Sequence, residues 1–346
     1  MKKKIQNLAG LVIGCGSIGR RHINNLKNLG VKNLSVFDKD KKLLDDVSKK
    51  YSIKKFDNLQ TALSFKPDFS VICTFPKSHI QIANQCLKYN SNILIEKPLS
   101  SDLKGITTML NNAKSKNLKV AVGYNLRFDK GLILLKQQIQ KKLIGKPISI
   151  MSKFGHNIQF WRPGTDYKNH YILQKGSGII LDGSHEYDYL RWLFEDEIET
   201  VYCQTQKNCN IKTETESFAS MILKFKKGLV ANVNIDYLRP TYQRGCYILG
   251  EKGSLRWEYN LTKSAWSNYS QKVNSKITLQ LISKSSNTIF NNKVQVNDMY
   301  VSEMKNFIES ILLNKKPSID GLDGLTTLEI GIASLKSAKK NQIIKL

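Results

Sequence analysis

The sequence predicts two domains: an α/β Rossmann domain, doubly wound on a mostly parallel sheet, over residues 1–123, and an α+β domain with a large, mostly antiparallel open sheet over 124–346. Three observations carry this. From residue 8 to 123, short apolar runs alternate with amphipathic segments, the pattern of parallel strands covered by helices. A glycine-rich turn, Gly14-Cys15-Gly16-Ser17-Ile18-Gly19, separates the first apolar run from the first amphipathic one. After Gly123 the runs alternate with period two, as in a sheet with one wet face.

The strand candidates of the first domain are residues 8–13, 34–37, 69–73, 92–95 and 120–123, almost wholly apolar, as strands buried on both faces must be. Helical spacing joins them: Ile80, Ala83 and Leu87, then Leu103, Ile106, Leu110 and Ala113 recur at three and four residues. A helix at 132–143 is expected to stop at Gly145, with Pro147 following. Ala231-Asn232-Val233-Asn234-Ile235-Asp236-Tyr237 alternates most cleanly as a strand. Residues 270–292, rich in Asn, Ser and Lys, read as long connections between strands, and two helices end the chain, through Met304, Phe307 and Ile308, then Leu325, Leu328 and Ile332. No flexible linker is visible, so the two parts are expected to pack closely and hold a ligand in a cleft.

A chain of 346 residues, 41% hydrophobic and 24% charged, is an ordinary globular composition that excludes collagen, a coiled-coil rod and wholesale disorder. No run approaches the ~20 apolar residues that span a bilayer. Lys2-Lys3-Lys4 followed by an apolar run ending at Cys15 imitates a lipoprotein signal, but cleavage there would delete the strand that the glycine turn needs. Six cysteines form no C-x-x-C pair, so reduced thiols, no metal site and a cytoplasmic location are expected. The net charge of +26 comes from 54 basic residues of which only eight are arginine. Nucleic-acid recognition favours arginine forks gathered with aromatics; here lysine is spread throughout, so neither nucleic acid nor membrane is an expected partner, while an anionic small molecule fits.

The turn Gly14 to Gly19 fits G-x-G-x-x-G. Its first glycine allows a tight turn, the second lets backbone approach a pyrophosphate, and the third lets helix and strand pack closely. Ser17 and Ile18 open the helix, whose free N–H groups favour phosphate. The helix then carries Ile18, His22, Leu26 and Leu29 on one stripe. Asp38 follows the second strand, 19 residues past Gly19, where a carboxylate accepts hydrogen bonds from a ribose and repels a 2′-phosphate. NAD is therefore the expected cofactor, and Lys39 beside it keeps NADP open.

The strand at 92–95 runs directly into Glu96-Lys97-Pro98. Carboxyl ends of strands in an open parallel sheet border the ligand crevice, and the Lys97 ammonium there can bind a hydroxyl oxygen and stabilise its alkoxide. In the second domain, His185 has Asp182 and Asp188 three residues to either side, so a helical turn can place a carboxylate beside a ring suited to proton exchange.

These residues give the chain its resemblance to the Gfo/Idh/MocA oxidoreductases, the glucose-fructose oxidoreductase and inositol dehydrogenase group. The likeness covers Gly14 to Gly19, Cys73-Thr74-Phe75-Pro76, His79, Glu96-Lys97-Pro98, and Gly176-Ser177-Gly178 through Asp182-Gly183-Ser184-His185. It implies that Cys73, Thr74, Phe75, His79, Glu96 and Lys97 border the cofactor, and that Lys97 and His185 serve the proton side of hydride transfer. Many members have three residues between this aspartate and the histidine, where Gly183-Ser184 supplies two. Asp182, Glu186 and Asp188 are therefore all candidates for orienting the ring, and Asp188 is also a candidate substrate contact. Tyr124, Asn125 and Arg127, and Trp161 and Arg162, resemble cleft-lining segments of a branch linked to sugar or surface-polysaccharide metabolism. Tryptophan offers a flat face to a ring, and the arginines offer forks for carboxylate or phosphate.

The expected activity is NAD-dependent hydride transfer between nicotinamide and a secondary alcohol or ketone of a sugar, polyol or nucleotide-sugar. Alternatives are an epimerase or glycosidase that retains NAD and oxidises transiently, and, more remotely, a basic protein that only senses NAD(H). A homo-oligomer built through the C-terminal sheet is expected.

Overall fold

The computed structural model describes residues 2–160, 166–174, 176–207, 211–261 and 272–346. Of Lys2 and Asn169 only the backbone is described. The chain divides into two compact units, the first made of residues 1–125 and 300–328, the second of 126–299 and 329–346.

In chain order the first stretch forms α1 (Lys2–Asn7), β1 (Ala9–Ile13), α2 (Ser17–Leu29), β2 (Asn33–Phe37), α3 (Lys41–Tyr51), β3 (Lys54–Phe56), α4 (Leu59–Ser64), β4 (Phe69–Ile72), α5 (Pro76–Lys88), β5 (Asn92–Ile95), α6 (Ile106–Ser115) and β6 (Val120–Val122). All six strands pair in parallel in the order β3-β2-β1-β4-β5-β6. The order reverses between β1 and β4, so the crevice of this sheet lies at their carboxyl ends. Side chains set the helix starts: Asp40 accepts from the Leu43 N–H at 3.0 Å, and Asn58 accepts from Gln60 at 2.8 Å, satisfying donors that a helix leaves open.

All five expected strands are present. The short β3, with two of its three residues exposed, carries too little apolar pattern to be foreseen. Leu103 is 40% exposed and precedes α6, so its match to the helical spacing is fortuitous.

The rest of the chain forms α7 (Lys130–Gln140), β7 (Pro147–Gly155), α8 (Ile179–Asp182), α9 (His185–Phe194), β8 (Ile198–Gln206), β9 (Phe218–Phe225), β10 (Val230–Asp236), β11 (Gln243–Gly250), β12 (Gly253–Leu261), β13 (Lys272–Leu281), β14 (Asn287–Gln295), α10 (Val296–Leu312), α11 (Gly321–Lys340) and β15 (Ile344–Lys345). Nine strands build the sheet of the second unit, ordered β14-β13-β12-β11-β7-β10-β9-β8-β15. Every neighbouring pair is antiparallel except β10 and β7. Trp257, Tyr189 and Tyr259 lie in its core.

The polar run at 270–292, expected to be connection, instead supplies β13 and most of β14. In β13, Val273, Ser275 and Ile277 are buried in alternation, and register with β12 holds from Leu261↔Val273 to Gly253↔Leu281. Backbone pairing tolerates the polar side chains because the opposite face of the strand is less buried.

Met304, Phe307 and Ile308 of α10 belong to the same apolar cluster as Val12, Phe69 and Val71 of the first unit. The Phe307 ring meets Phe69 edge-on at 6.0 Å.

Candidate active site

The glycine turn leaves β1 through Gly14, whose φ of +102° is a conformation L side chains rarely adopt. A Cβ on Gly14 would lie 2.8 Å from the Cys73 carbonyl, and one on Gly19 only 1.9 Å from the Gly14 oxygen. The turn is therefore wedged against the end of β4. Gly16 differs, because a Cβ there would meet nothing within 4 Å, and both Gly16 and Ser17 are exposed. Open space over a backbone that can be closely approached, at a helix start, is the cradle a pyrophosphate needs.

Asp38 is half-buried at the end of β2, with Lys39 exposed beside it. One carboxylate oxygen accepts from the Cys15 N–H at 2.6 Å and the other from Asp40 at 2.9 Å. A carboxylate has about four acceptor positions, so it can still accept from ribose hydroxyls. These residues fit a dinucleotide.

Cys73 is buried, and burial pushes its thiol well above the ordinary range, so it contributes shape and no nucleophile. Thr74 follows half-buried and accepts from the Ser78 hydroxyl at 2.8 Å, while Phe75 is exposed. The His79 ring spans two carbonyls, Thr74 at 2.9 Å and Pro98 at 3.1 Å. Burial lowers its pKa against those two bonds, and the ring ties the segment after β4 to the one after β5.

Lys97 leaves β5 half-buried, next to a buried Glu96. The Lys97 N–H donates to Glu96 Oε2 at 3.2 Å, and Glu96 Oε1 lies 2.6 Å from Nε2 of a fully buried His22. His22 has no assigned role in the sequence reading. Its place on the apolar stripe of α2 was the available signal, since a buried imidazole has to find a polar partner.

In the second unit, Gly178 takes φ +110°, and a Cβ there would sit 2.2 Å from Glu216 Oε1. That carboxylate caps α8 by accepting from the Ile180 N–H at 3.1 Å. Burial raises the Glu216 pKa. The glycine-rich approach thus makes room for a capping acid that the sequence does not reveal.

Asp182 ends α8, and His185 opens α9 after Gly183-Ser184; both are buried. Tyr237 lies close enough that the Asp182 charge, after burial itself, holds the Tyr237 phenol well above its ordinary pKa. The other two acids are engaged by arginines. Arg127 binds Asp188 through two bonds of 2.9 and 2.7 Å, and Arg244 donates to Glu186 at 2.8 Å. Arg244 is also packed 4.2 Å over the Phe154 ring.

The guanidinium of Arg127, expected to meet a ligand, thus clamps another predicted site residue, and all four members of these pairs are buried. Tyr124 and Asn125 are buried as well. Trp161 and Arg162 lie outside the described residues.

Comparison with known proteins agrees with both folds. Residues 9–124 match the family model described as an oxidoreductase family with an NAD-binding Rossmann fold, and residues 132–256 match the GFO/IDH/MocA C-terminal domain. Myo-inositol 2-dehydrogenase of Thermotoga maritima is 25% identical, over 97% of each chain. The WlbA dehydrogenase of Bordetella pertussis, solved with NADH and UDP-GlcNAcA, superposes with a TM-score of 0.79 at 19% identity, over 98% of each chain. An oxidoreductase from Agrobacterium radiobacter, solved with NAD+, L-tartaric acid and magnesium, gives 0.82 at 19% identity, again over 98% of each. With an open glycine turn, an aspartate just past β2, a Glu-Lys-Pro strand end, and models that match most of its length, the chain belongs to the GFO/IDH/MocA family of NAD-binding oxidoreductases.

Proposed function

We propose that this oxidoreductase acts on a secondary alcohol of a sugar, polyol or nucleotide-sugar, or on the corresponding ketone, with Lys97 and His185 as its catalytic residues. The observation that carries the reading is Lys97 itself. A half-buried lysine stands just past the carboxyl end of β5, in the same sheet whose β1 and β4 ends border the glycine turn.

When bound, NAD supplies the hydride acceptor or donor. Lys97 binds the substrate oxygen and stabilises negative charge as it develops. His185 takes the hydroxyl proton in oxidation and returns it in reduction. Asp182, three residues before His185 in sequence, is the acid we assign to orient its ring, and we assign the Arg127–Asp188 pair the task of fixing the first turn of α9. The names and ligands of the relatives, inositol and a uronic-acid nucleotide-sugar among them, support the substrate class.

A spectrophotometric screen of polyols and nucleotide-sugars with purified protein and NAD tests this. Stoichiometric formation of NADH with at least one of them is expected. Chemistry without net NADH would point to a cofactor that stays bound through each turnover, and none with any alcohol would reject the assignment.

Asp38→Ala is expected to weaken NAD binding by about 1.5–3 kcal/mol, or roughly ten- to hundred-fold, the value of hydrogen bonds to a charged acceptor. Part of this comes from the lost bond to Cys15. Titration of NADH fluorescence measures it, and an unchanged dissociation constant would remove Asp38 from the site.

We also infer that the protein self-associates through the nine-stranded sheet. Strand register aligns Ile222, Asn232, Met151, Tyr247 and Arg256 across β9, β10, β7, β11 and β12, with Met151 57% and Ile222 47% exposed. A row exposed at Ile222, Asn232, Met151 and Arg256 and half-buried at Tyr247 suits an interaction face. Met151→Lys should lower the mass measured by light scattering while leaving the melting temperature of the fold nearly unchanged. Five described cysteines, all free thiols, support a reducing, cytoplasmic location; among the described residues no helix is long and apolar enough to cross a membrane.

A further inference from the structure

Lys97 can act on a substrate only if its backbone is held in one place, and Pro98 after it has no N–H to contribute to the sheet. One bond to Lys97 is local: its N–H donates to Glu96 Oε2 at 3.2 Å. That carboxylate is itself held from a distance. Its other oxygen lies 2.6 Å from His22 Nε2, 74 residues away in sequence, with His22 fully buried and Glu96 8% exposed.

A carboxylate can only accept, so Nε2 carries the hydrogen and donates it. The other ring nitrogen, Nδ1, has no hydrogen-bond partner among the described residues. The ring's polar bond is therefore the one to Glu96. Tyr300 stands edge-on to the imidazole at 6.2 Å, and Arg21 stacks on Tyr300 at 4.3 Å. On the far side, a Cβ at Gly123 would come within 3.0 Å of Glu96 Oε2, so the carboxylate has little room to swing. His22 lies on α2, the helix whose first turn forms the phosphate cradle.

We infer that His22 is a positioning residue for Lys97: its imidazole holds the Glu96 carboxylate, and that carboxylate holds the Lys97 N–H. The pair thereby ties the helix of the cofactor cradle to the strand end that carries the ammonium. A donor in this place has a specific requirement, an N–H aimed at Glu96 from about the reach of Nε2. Glutamine meets that requirement; leucine fills the volume without it; asparagine has the donor but falls short. This inference rests on the catalytic reading of Lys97, but its test does not depend on turnover.

The chain contains only two Glu-Lys dipeptides, at 96–97 and 251–252. Labelling with carbonyl-13C glutamate and 15N lysine therefore leaves two amide resonances, Lys97 and an internal control at Lys252, whose N–H bonds Ile144 O in the other unit. In His22→Leu, the Lys97 resonance should move upfield and its exchange with solvent should accelerate about ten- to hundred-fold, as expected when a bond to a charged acceptor is lost. Lys252 should not change, and His22→Gln should restore Lys97.

A merely structural His22 would lower the melting temperature without singling out Lys97. The inference is overturned if Lys97 keeps its shift and exchange rate in folded His22→Leu, or if His22→Gln leaves it as perturbed as leucine does. Should the leucine variant not fold, the comparison between His22→Gln and His22→Asn decides, with only the asparagine variant expected to lose the bond. Inactivity of Lys97→Ala is a separate measurement, so failure of the catalytic reading and failure of the positioning chain are distinguishable.

Discussion

Lys97→Ala is expected to lower kcat/KM by about 10²–10³-fold, the usual effect of removing one charge-stabilising donor from a developing oxyanion. Lys97 is half-buried just past a strand end and outside the apolar core, so the variant should still fold cooperatively, with a stability loss small beside the loss of rate. NADH affinity should fall far less than the rate. His185→Asn should produce a loss of about 10²–10⁴-fold, because it removes proton exchange while keeping a polar side chain. Steady-state rates on the first alcohol found by the screen, with melting curves for both variants, check this. A Lys97→Ala enzyme within a few-fold of the parent would mean that the strand end serves the cofactor cradle alone.

Gly19→Ala should be the most disruptive small change in the first unit. Its Cβ would lie 1.9 Å from the Gly14 oxygen, while Gly14 is itself wedged against the Cys73 carbonyl. Neither backbone can give way without moving β1 or β4. Overpacking of this kind costs about 1–3 kcal/mol or more, and the cradle is distorted with it, so both the melting temperature and NADH affinity should fall. Gly16→Ala is the control: its Cβ meets nothing within 4 Å. It should fold normally and still lose cofactor affinity, because the methyl group enters the space a pyrophosphate would use. Equal melting temperatures for the two variants would show that the turn is less tightly wedged than its geometry implies.

The legible parts were those written in contiguous residues. The five parallel strands read as apolar runs, the glycine turn as fixed spacing, and Lys97 as a charge at the end of a buried run. The polar stretch at 270–292 reads as connection yet forms strand, because β13 and β14 are held by backbone pairing to a neighbour, to which side-chain polarity is a poor guide. Packing of Phe307 against Phe69 is likewise absent from local pattern, since a helical stripe states that it is buried but not against what.

Within the site, Arg127 was recognisable as an uncommon arginine beside a strand end, yet Asp188, 61 residues on, takes its fork. In sequence His22 is only a histidine on an apolar face; its pairing with Glu96, 74 residues away, belongs to the tertiary structure.

Residue order alone determined the fold class, the glycine turn and the positions of Asp38, Lys97 and His185 as candidates, because each follows from periodicity, short spacing along one segment or resemblance carried by a contiguous motif. Which charges pair, and so which side chains stay available to a ligand, was decided by the tertiary structure. A carboxylate takes the donor that folding brings within about 3 Å, and for Glu96, Asp188 and Glu186 that donor comes from 74, 61 and 58 residues away.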